Sequence, residues 1–162
     1  MSVYGKRLGY LTYFVGDAAS LVGRTKYKHT VEVRGTFLYN EHILPGLFYG
    51  KPVMVVEGVF DALSTIQAGI PTVAATTNEL TKYRLLKLYR YTNKIQFWMD
   101  SDKAGQDGMD RTIKEIKKLK LPIQYRIFDE HRYKDANEFL QGNPEEFSER
   151  MKTLKKELEE WI

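Results

Sequence analysis

An open α/β sheet, mostly parallel and flanked by helices, is the fold class predicted by three observations. Two short apolar runs, Val53-Met54-Val55-Val56 and Ile95-Gln96-Phe97-Trp98-Met99, are rich in β-branched or aromatic residues, as buried strands are. Each is followed by a segment of helical periodicity, and strand-helix alternation occurs four times after Lys51. Each run also leads into acid: Glu57-Gly58-Val59-Phe60-Asp61 after the first, Asp100-Ser101-Asp102-Lys103-Ala104-Gly105 after the second. The carboxyl ends of parallel strands open on the ligand crevice, which places Glu57 and Asp100 at one rim. Carboxylates gathered there repel unless a cation neutralises them. Hard divalent ions such as magnesium take carboxylate oxygen and keep positions open for phosphate.

Residues 1–50 show no helical period. Alternating pieces such as Thr30-Val31-Glu32-Val33-Arg34 and Thr36-Phe37-Leu38-Tyr39, punctuated by Gly5, Gly9, Gly16, Gly23 and Gly35, predict a small β-rich subdomain. Pro45, Gly46 and Gly50 mark the passage into a second region over 51–141. There the pattern predicts strand 53–57, a helix over 60–68 closed by Gly69, strand 71–75, and a helix over 79–91 capped by Thr77 or Asn78. Strand 94–100 follows, then a helix over 104–119 with Met109, Ile113 and Ile116 on one face, strand 122–128, and a short turn through Phe139.

A third region, 142–162, begins with Asn143 as cap, Pro144 at the first helical position, and Glu145 and Glu146 against the dipole. Its Phe147, Met151, Leu154, Leu158 and Trp161 line one helix face. That face predicts packing on its own domain, with docking to a partner as the sharper alternative.

With 162 residues the chain suffices for one sizeable core, and at 43% hydrophobic it is not globally disordered. It has no cysteine, which excludes disulfides and thiolate zinc sites within it. His29, His42 and His131 share no ligand-like spacing. No apolar run reaches the ~20 residues that span a bilayer. Leu8 to Val15, after Lys6 and Arg7, has the outline of a signal peptide but contains Thr12 and two tyrosines and stops at Asp17, so the cytoplasm is the expected compartment. The net charge is +4, and residues 1–52 hold seven bases against three acids while the remainder is balanced. A basic segment beside an acidic metal crevice suits a phosphate polymer, although solubility alone explains a basic surface equally well.

These acids also spell a pattern. Glu57-Gly-x-x-Asp61, then Asp100-x-Asp102-x-Ala104-Gly105, then Lys134-Asp135 before Glu138-Phe139-Leu140, resemble the three acidic motifs of the topoisomerase-primase (Toprim) domain, and among its members the bacterial and phage DNA primases most. Val22-Gly-Arg-Thr-Lys-Tyr-Lys28 is similar to the basic segments that precede the domain in primases, with His29 where the family has Asn. The resemblance covers about residues 20–141. Asn137 stands in place of the third motif's second acid, and Thr77 in place of a usual Gly.

The resemblance implies a Toprim-type sheet and a metal-dependent primase: synthesis of short RNA primers from ribonucleoside triphosphates on single-stranded DNA. It implies Mg2+ or Mn2+ held among Glu57, Asp61, Asp100, Asp102 and Asp135, with Glu57, Asp100 and Asp102 as the catalytic set. Arg24, Lys26, Lys28, Arg34 and Lys134 would hold template or triphosphate. A helicase and a zinc-binding module outside this chain are the implied partners. For Glu57 the alternative is a carboxylate capping the next helix, and for Asp61 a first-turn acid set against the helix dipole. Asp100 and Asp102, read as two apart on an extended strand end, should point to one side, binding metal well and capping a helix poorly. Two other functions stay open: a Toprim-type metal-dependent nuclease, and a non-catalytic module that only binds nucleotide or nucleic acid.

Overall fold

The computed structural model describes residues 11–15, 20–24, 29–32, 37–47, 49–130 and 132–161. Three antiparallel strands, β1 (Leu11–Val15), β2 (Ser20–Arg24) and β3 (His29–Glu32), pair in the order β1-β2-β3. The second sheet is entirely parallel, with β4 (Val53–Val56), β5 (Thr72–Ala74), β6 (Lys94–Trp98) and β7 (Gln124–Ile127) in the order β5-β4-β6-β7. Between these strands run α1 (Val59–Gln67), α2 (Lys82–Tyr89) and α3 (Lys103–Leu119), and after them come α4 (Ala136–Gly142) and α5 (Pro144–Glu159). The expected open sheet flanked by helices is thus present.

The strand order explains where the helices lie. From β4 the chain crosses one way to β5 and then back over β4 to β6 and β7. Crossovers of one hand therefore put α1 on one face and α2 and α3 on the other. Side chains sort accordingly. Val53 and Val55 of β4 join Ile95, Phe97, Leu85, Leu88, Met109 and Ile116 in one buried cluster, whereas Met54 and Val56 join Trp98, Ala62, Phe139 and the apolar stripe of α5 in the other. That alternation is the pleat of a strand covered on both faces.

The apolar face of α5 packs on its own domain. Phe147, Met151, Leu154, Leu158 and Trp161 are all buried there, beneath the face of the sheet that α1 covers. Leu38 and Leu44, upstream of Pro45, are buried in the opposite cluster, and Tyr39 bridges antiparallel to Ala74 at the edge of β5.

Two expectations need correction. The helix expected over 79–91 runs only from Lys82 to Tyr89, and its cap position is Thr81, not Thr77 or Asn78. Residues 77–80 are held instead against α3: the Asn78 amide donates to the Ala104 carbonyl at 3.1 Å, and the Leu80 N–H donates to the Thr112 hydroxyl at 3.0 Å. Those contacts satisfy the backbone without a helical turn. Strand 122–128 contracts to Gln124–Ile127 and is largely exposed, at the edge of the sheet among the described residues.

The close approach of loop and helix depends on Gly108, where an added Cβ would lie 1.7 Å from the Asn78 carbonyl oxygen. Gly108→Ala is expected to cost about 2 kcal/mol net, the backbone clash exceeding the ~1 kcal/mol that alanine adds to helix propensity. At this chain length that is a fall in Tm of roughly 4–8 °C. A thermal melt unchanged or raised in the variant would overturn the expectation.

Candidate active site

The acids converge because of strand order. β4 and β6 are parallel neighbours with Val56 opposite Trp98, so Glu57 and Asp100, just beyond these strands, emerge side by side. This is the point where the direction of winding reverses, the usual position of a ligand crevice in an open α/β sheet. Lys134, on the loop after β7, completes the group: its Nζ lies 3.0 Å from Asp100 Oδ2 and 3.1 Å from Asp102 Oδ2. The loop is fixed by the Ser101 N–H, which donates to the Lys134 carbonyl at 2.8 Å.

Asp100 and Asp102 do not sit on an extended strand end, because β6 stops at Trp98. Asp102 caps α3, accepting the Gly105 N–H on Oδ1 at 3.0 Å, while Oδ2 faces Lys134. The expectation that this pair caps poorly is corrected: one oxygen of Asp102 caps and the other serves the rim. Gly105 makes the turn possible, since a Cβ there would lie 2.1 Å from the Asp100 carbonyl oxygen.

Burial sets the charge states. Glu57 is pushed up to about 7, first by burial and then by the charges of Asp100 and Asp102, with Lys134 and the Asp100 N–H pulling it back. Its Oε2 is buried with no hydrogen-bond partner among the described residues. Asp100 is also raised, chiefly by burial and despite Lys134. Asp102, at the exposed edge, is lowered by the Gly105 N–H and Lys134.

Asp61 is buried, and both of its oxygens accept backbone N–H groups. Its Oδ2 accepts the Gly58 N–H at 3.1 Å, closing the first turn of α1, and its Oδ1 accepts the Asn137 N–H at 3.0 Å, tying α1 to α4 across 76 residues. Burial, then the charge of Asp135, raises its pKa. Asp135 caps α4 through the Glu138 N–H at 2.7 Å. Among the described residues, no three acids or histidines stand close enough to hold a metal ion as placed. Even so, the donor set fits a hard cation: a lysine ammonium bridges two carboxylates, and an oxygen of a third, Glu57, is buried without a partner among the described residues.

Lys26, Lys28 and Arg34 lie outside the described residues, and of Arg24 only the backbone, at the end of β2, is described. Sequence reasoning missed Arg84, which is buried on α2 and donates to the Thr77 hydroxyl at 2.6 Å. Glu138, quoted in the third motif without a role, accepts the Lys134 N–H on its carboxylate. The acid three residues after the cap Asp135 was the available signal for that role, although its bond goes to the N–H before the cap and not to that of the cap itself.

A cleft of about 470 Å³ opens beside the acids, lined by Trp98, Asp100, Met109, Ile113, Tyr133 and Lys134 among others. Comparison with known proteins places this arrangement. A family profile described as Toprim-like matches residues 54–140, which include Glu57, Asp61, Asp100, Asp102 and Asp135. The chain belongs to the Toprim-like family. A DNA primase of Synechocystis is 34% identical over 114 residues, 67% of this chain and 18% of the relative. The Escherichia coli primase catalytic core superposes with a TM-score of 0.70 at 21% identity, over 88% of this chain and 51% of that one. A DnaG primase catalytic domain solved bound to single-stranded DNA gives 0.72 at 20% identity, over 90% and 51%. The Toprim chain thus spans about a fifth of that curated relative and about half of each solved core. Identities near 20% carry the fold and leave the chemistry to the site. Among the described residues, no helix is long and apolar enough to cross a membrane.

The raised carboxyl groups give the metal-free Toprim protein a predictable pH response. A carboxyl group whose folded pKa exceeds its unfolded value binds its proton more tightly when folded. Its contribution to stability is complete below the unfolded value and is lost as pH rises through the folded one. For Glu57 that window runs from 4.5 to about 7. With chelator present, stability should fall by about 2 kcal/mol between pH 5 and pH 8, allowing for partial screening, which is roughly 4–8 °C in Tm. Glu57→Gln should reduce the slope, leaving the part carried by the raised Asp61 and Asp100. A parental Tm constant across this range would contradict the burial of Glu57.

Proposed function

We propose that this chain is the catalytic part of a DNA primase, a nucleotidyltransferase making short RNA primers on single-stranded DNA in the cytoplasm. The observation that supports the reading most is the meeting of Glu57, Asp100 and Asp102 with one bridging ammonium at the switch point of a Toprim sheet. The relative named DNA primase and the neighbour solved on single-stranded DNA support the choice of substrate.

In this reading Asp100 and Asp102 hold Mg2+ or Mn2+, with Glu57 and Asp135 as further donors and Asp61 fixing the spacing between α1 and α4. A divalent ion held there would neutralise the triphosphate of the incoming ribonucleotide and the charge on the attacking and leaving oxygens. The protein's own part is positioning and charge. Glu57, pushed up to about 7, can take or give a proton at a buried oxygen near neutral pH. Asp102 stays ionised at the rim. Arg24, Lys26, Lys28 and Arg34 hold template or triphosphate phosphates, so binding weakens steeply with salt. A helicase and a zinc-binding module are the partners this assignment calls for.

The deciding experiment incubates the chain with single-stranded DNA and Mg2+ or Mn2+, with and without labelled ribonucleotides. Short labelled RNA, lost in Glu57→Gln and Asp100→Asn, is the expected result. Shortening of end-labelled DNA without ribonucleotides would make it a nuclease. Neither product, with both variants indistinguishable from the parent, would make it a binding module.

A further inference from the structure

We propose that Lys134 is a built-in counter-ion of the acid rim, whose ammonium holds Asp100 and Asp102 together in the metal-free chain and is displaced when a divalent ion enters. The inference rests on the metal-dependent reading of the site.

The geometry separates a fixed backbone from a movable side chain. The Lys134 carbonyl accepts the Ser101 N–H, its own N–H donates to the Glu138 carboxylate, Asp135 caps α4, and the Tyr133 ring stacks on Phe139 at 4.5 Å. The side chain is 49% exposed, and its ammonium is held by the two aspartate oxygens. Rotation of four single bonds therefore releases it without disturbing the loop. The ammonium is also an incomplete partner: one positive charge serves two carboxylates, and Glu57 Oε2 beside them has no hydrogen-bond partner among the described residues. A divalent ion brings twice the charge to the same oxygens. The released ammonium stays beside negative charge, because the adjoining cleft, which Lys134 itself lines, is also lined by Asp110. Lysine and metal are thus alternative cations for one place, and the lysine sets the metal concentration at which the site fills.

The test uses the full chain stripped with chelator and titrated with Mn2+. Lys134→Met should bind Mn2+ about 3- to 10-fold more tightly than the parent, the scale of a partly exposed ion pair. Lys103→Met removes the same charge from an exposed position next to Asp102 and should shift affinity less than about twofold. A readout that needs no variant is the acetylation rate of the Lys134 amine, followed by mass spectrometry, which should rise severalfold on saturation with Mn2+. Unchanged or weaker Mn2+ binding in Lys134→Met, or an acetylation rate indifferent to Mn2+, overturns the proposal. Asp100→Asn separates the two levels. If it abolishes Mn2+ binding while Lys134→Met equals the parent, the counter-ion role alone fails. If parent and Lys134→Met both bind no Mn2+, the metal-dependent reading fails with it.

Discussion

In the proposed primase reading, Asp100→Asn is expected to lower primer synthesis by about a hundredfold or more while leaving the metal-free fold as stable as the parent, or slightly more so. The two halves of this result have different causes. Loss of outer groups that merely orient a metal's ligands costs 10–100-fold, so loss of a ligand should cost at least the upper figure, or about 2.7 kcal/mol of barrier. Stability moves the other way because burial disfavours the ionised form of Asp100 even with Lys134 at 3.0 Å. A neutral amide of the same shape removes that unfavourable charge, so unfolding free energy at pH 8 should change by less than about 1 kcal/mol. Asp102 provides the contrast. Asp102→Asn keeps a good helix cap and should lose activity alone, whereas Asp102→Ala should also lose about 1 kcal/mol of stability with the bond from Gly105. Primer yield and urea melts in chelator read the two effects separately. An Asp100→Asn protein with more than half the parental activity would remove Asp100 from the site.

How much of this was legible before the structure depended on whether local chemistry or distant contacts decided the outcome. β4 and β6 are covered on both faces, so their composition alone marks them. α5 announces its start through Asn143 and Pro144 and its buried face through the spacing of Phe147 to Trp161. The segment 77–80 was misread because its polar groups bond to α3, more than twenty residues away, and not to a following turn. Asp102 was half read, since a carboxylate has two oxygens and each took a different role. The link from Asp61 to the Asn137 N–H was beyond sequence reasoning, because a backbone donor carries no residue signature. Lys134 was noticed as a phosphate contact, but its place between two aspartates requires the β7 loop to fold back over β6, which is a matter of topology.

The support beneath the acids yields the second large effect. Phe147→Ala should destabilise the protein by about 3–5 kcal/mol, the usual loss for a buried phenylalanine cut to alanine. The side chain is 2% exposed and meets two lines of contact that both end at the rim. Its ring lies 6.4 Å from Trp98, two residues before Asp100, and 5.4 Å edge-on from Phe139, on which Tyr133 stacks directly before Lys134. The cavity therefore opens beneath the residues that set the distance between the Lys134 ammonium and the aspartates, and Mn2+ affinity should fall with stability. Leu63→Ala, at an α1 position that is 44% exposed, removes apolar surface without opening a cavity and should stay within about 0.5 kcal/mol. Urea unfolding with and without Mn2+ distinguishes the outcomes. A loss below 1 kcal/mol for Phe147→Ala would detach α5 from the core and return its apolar face to the role of a docking surface.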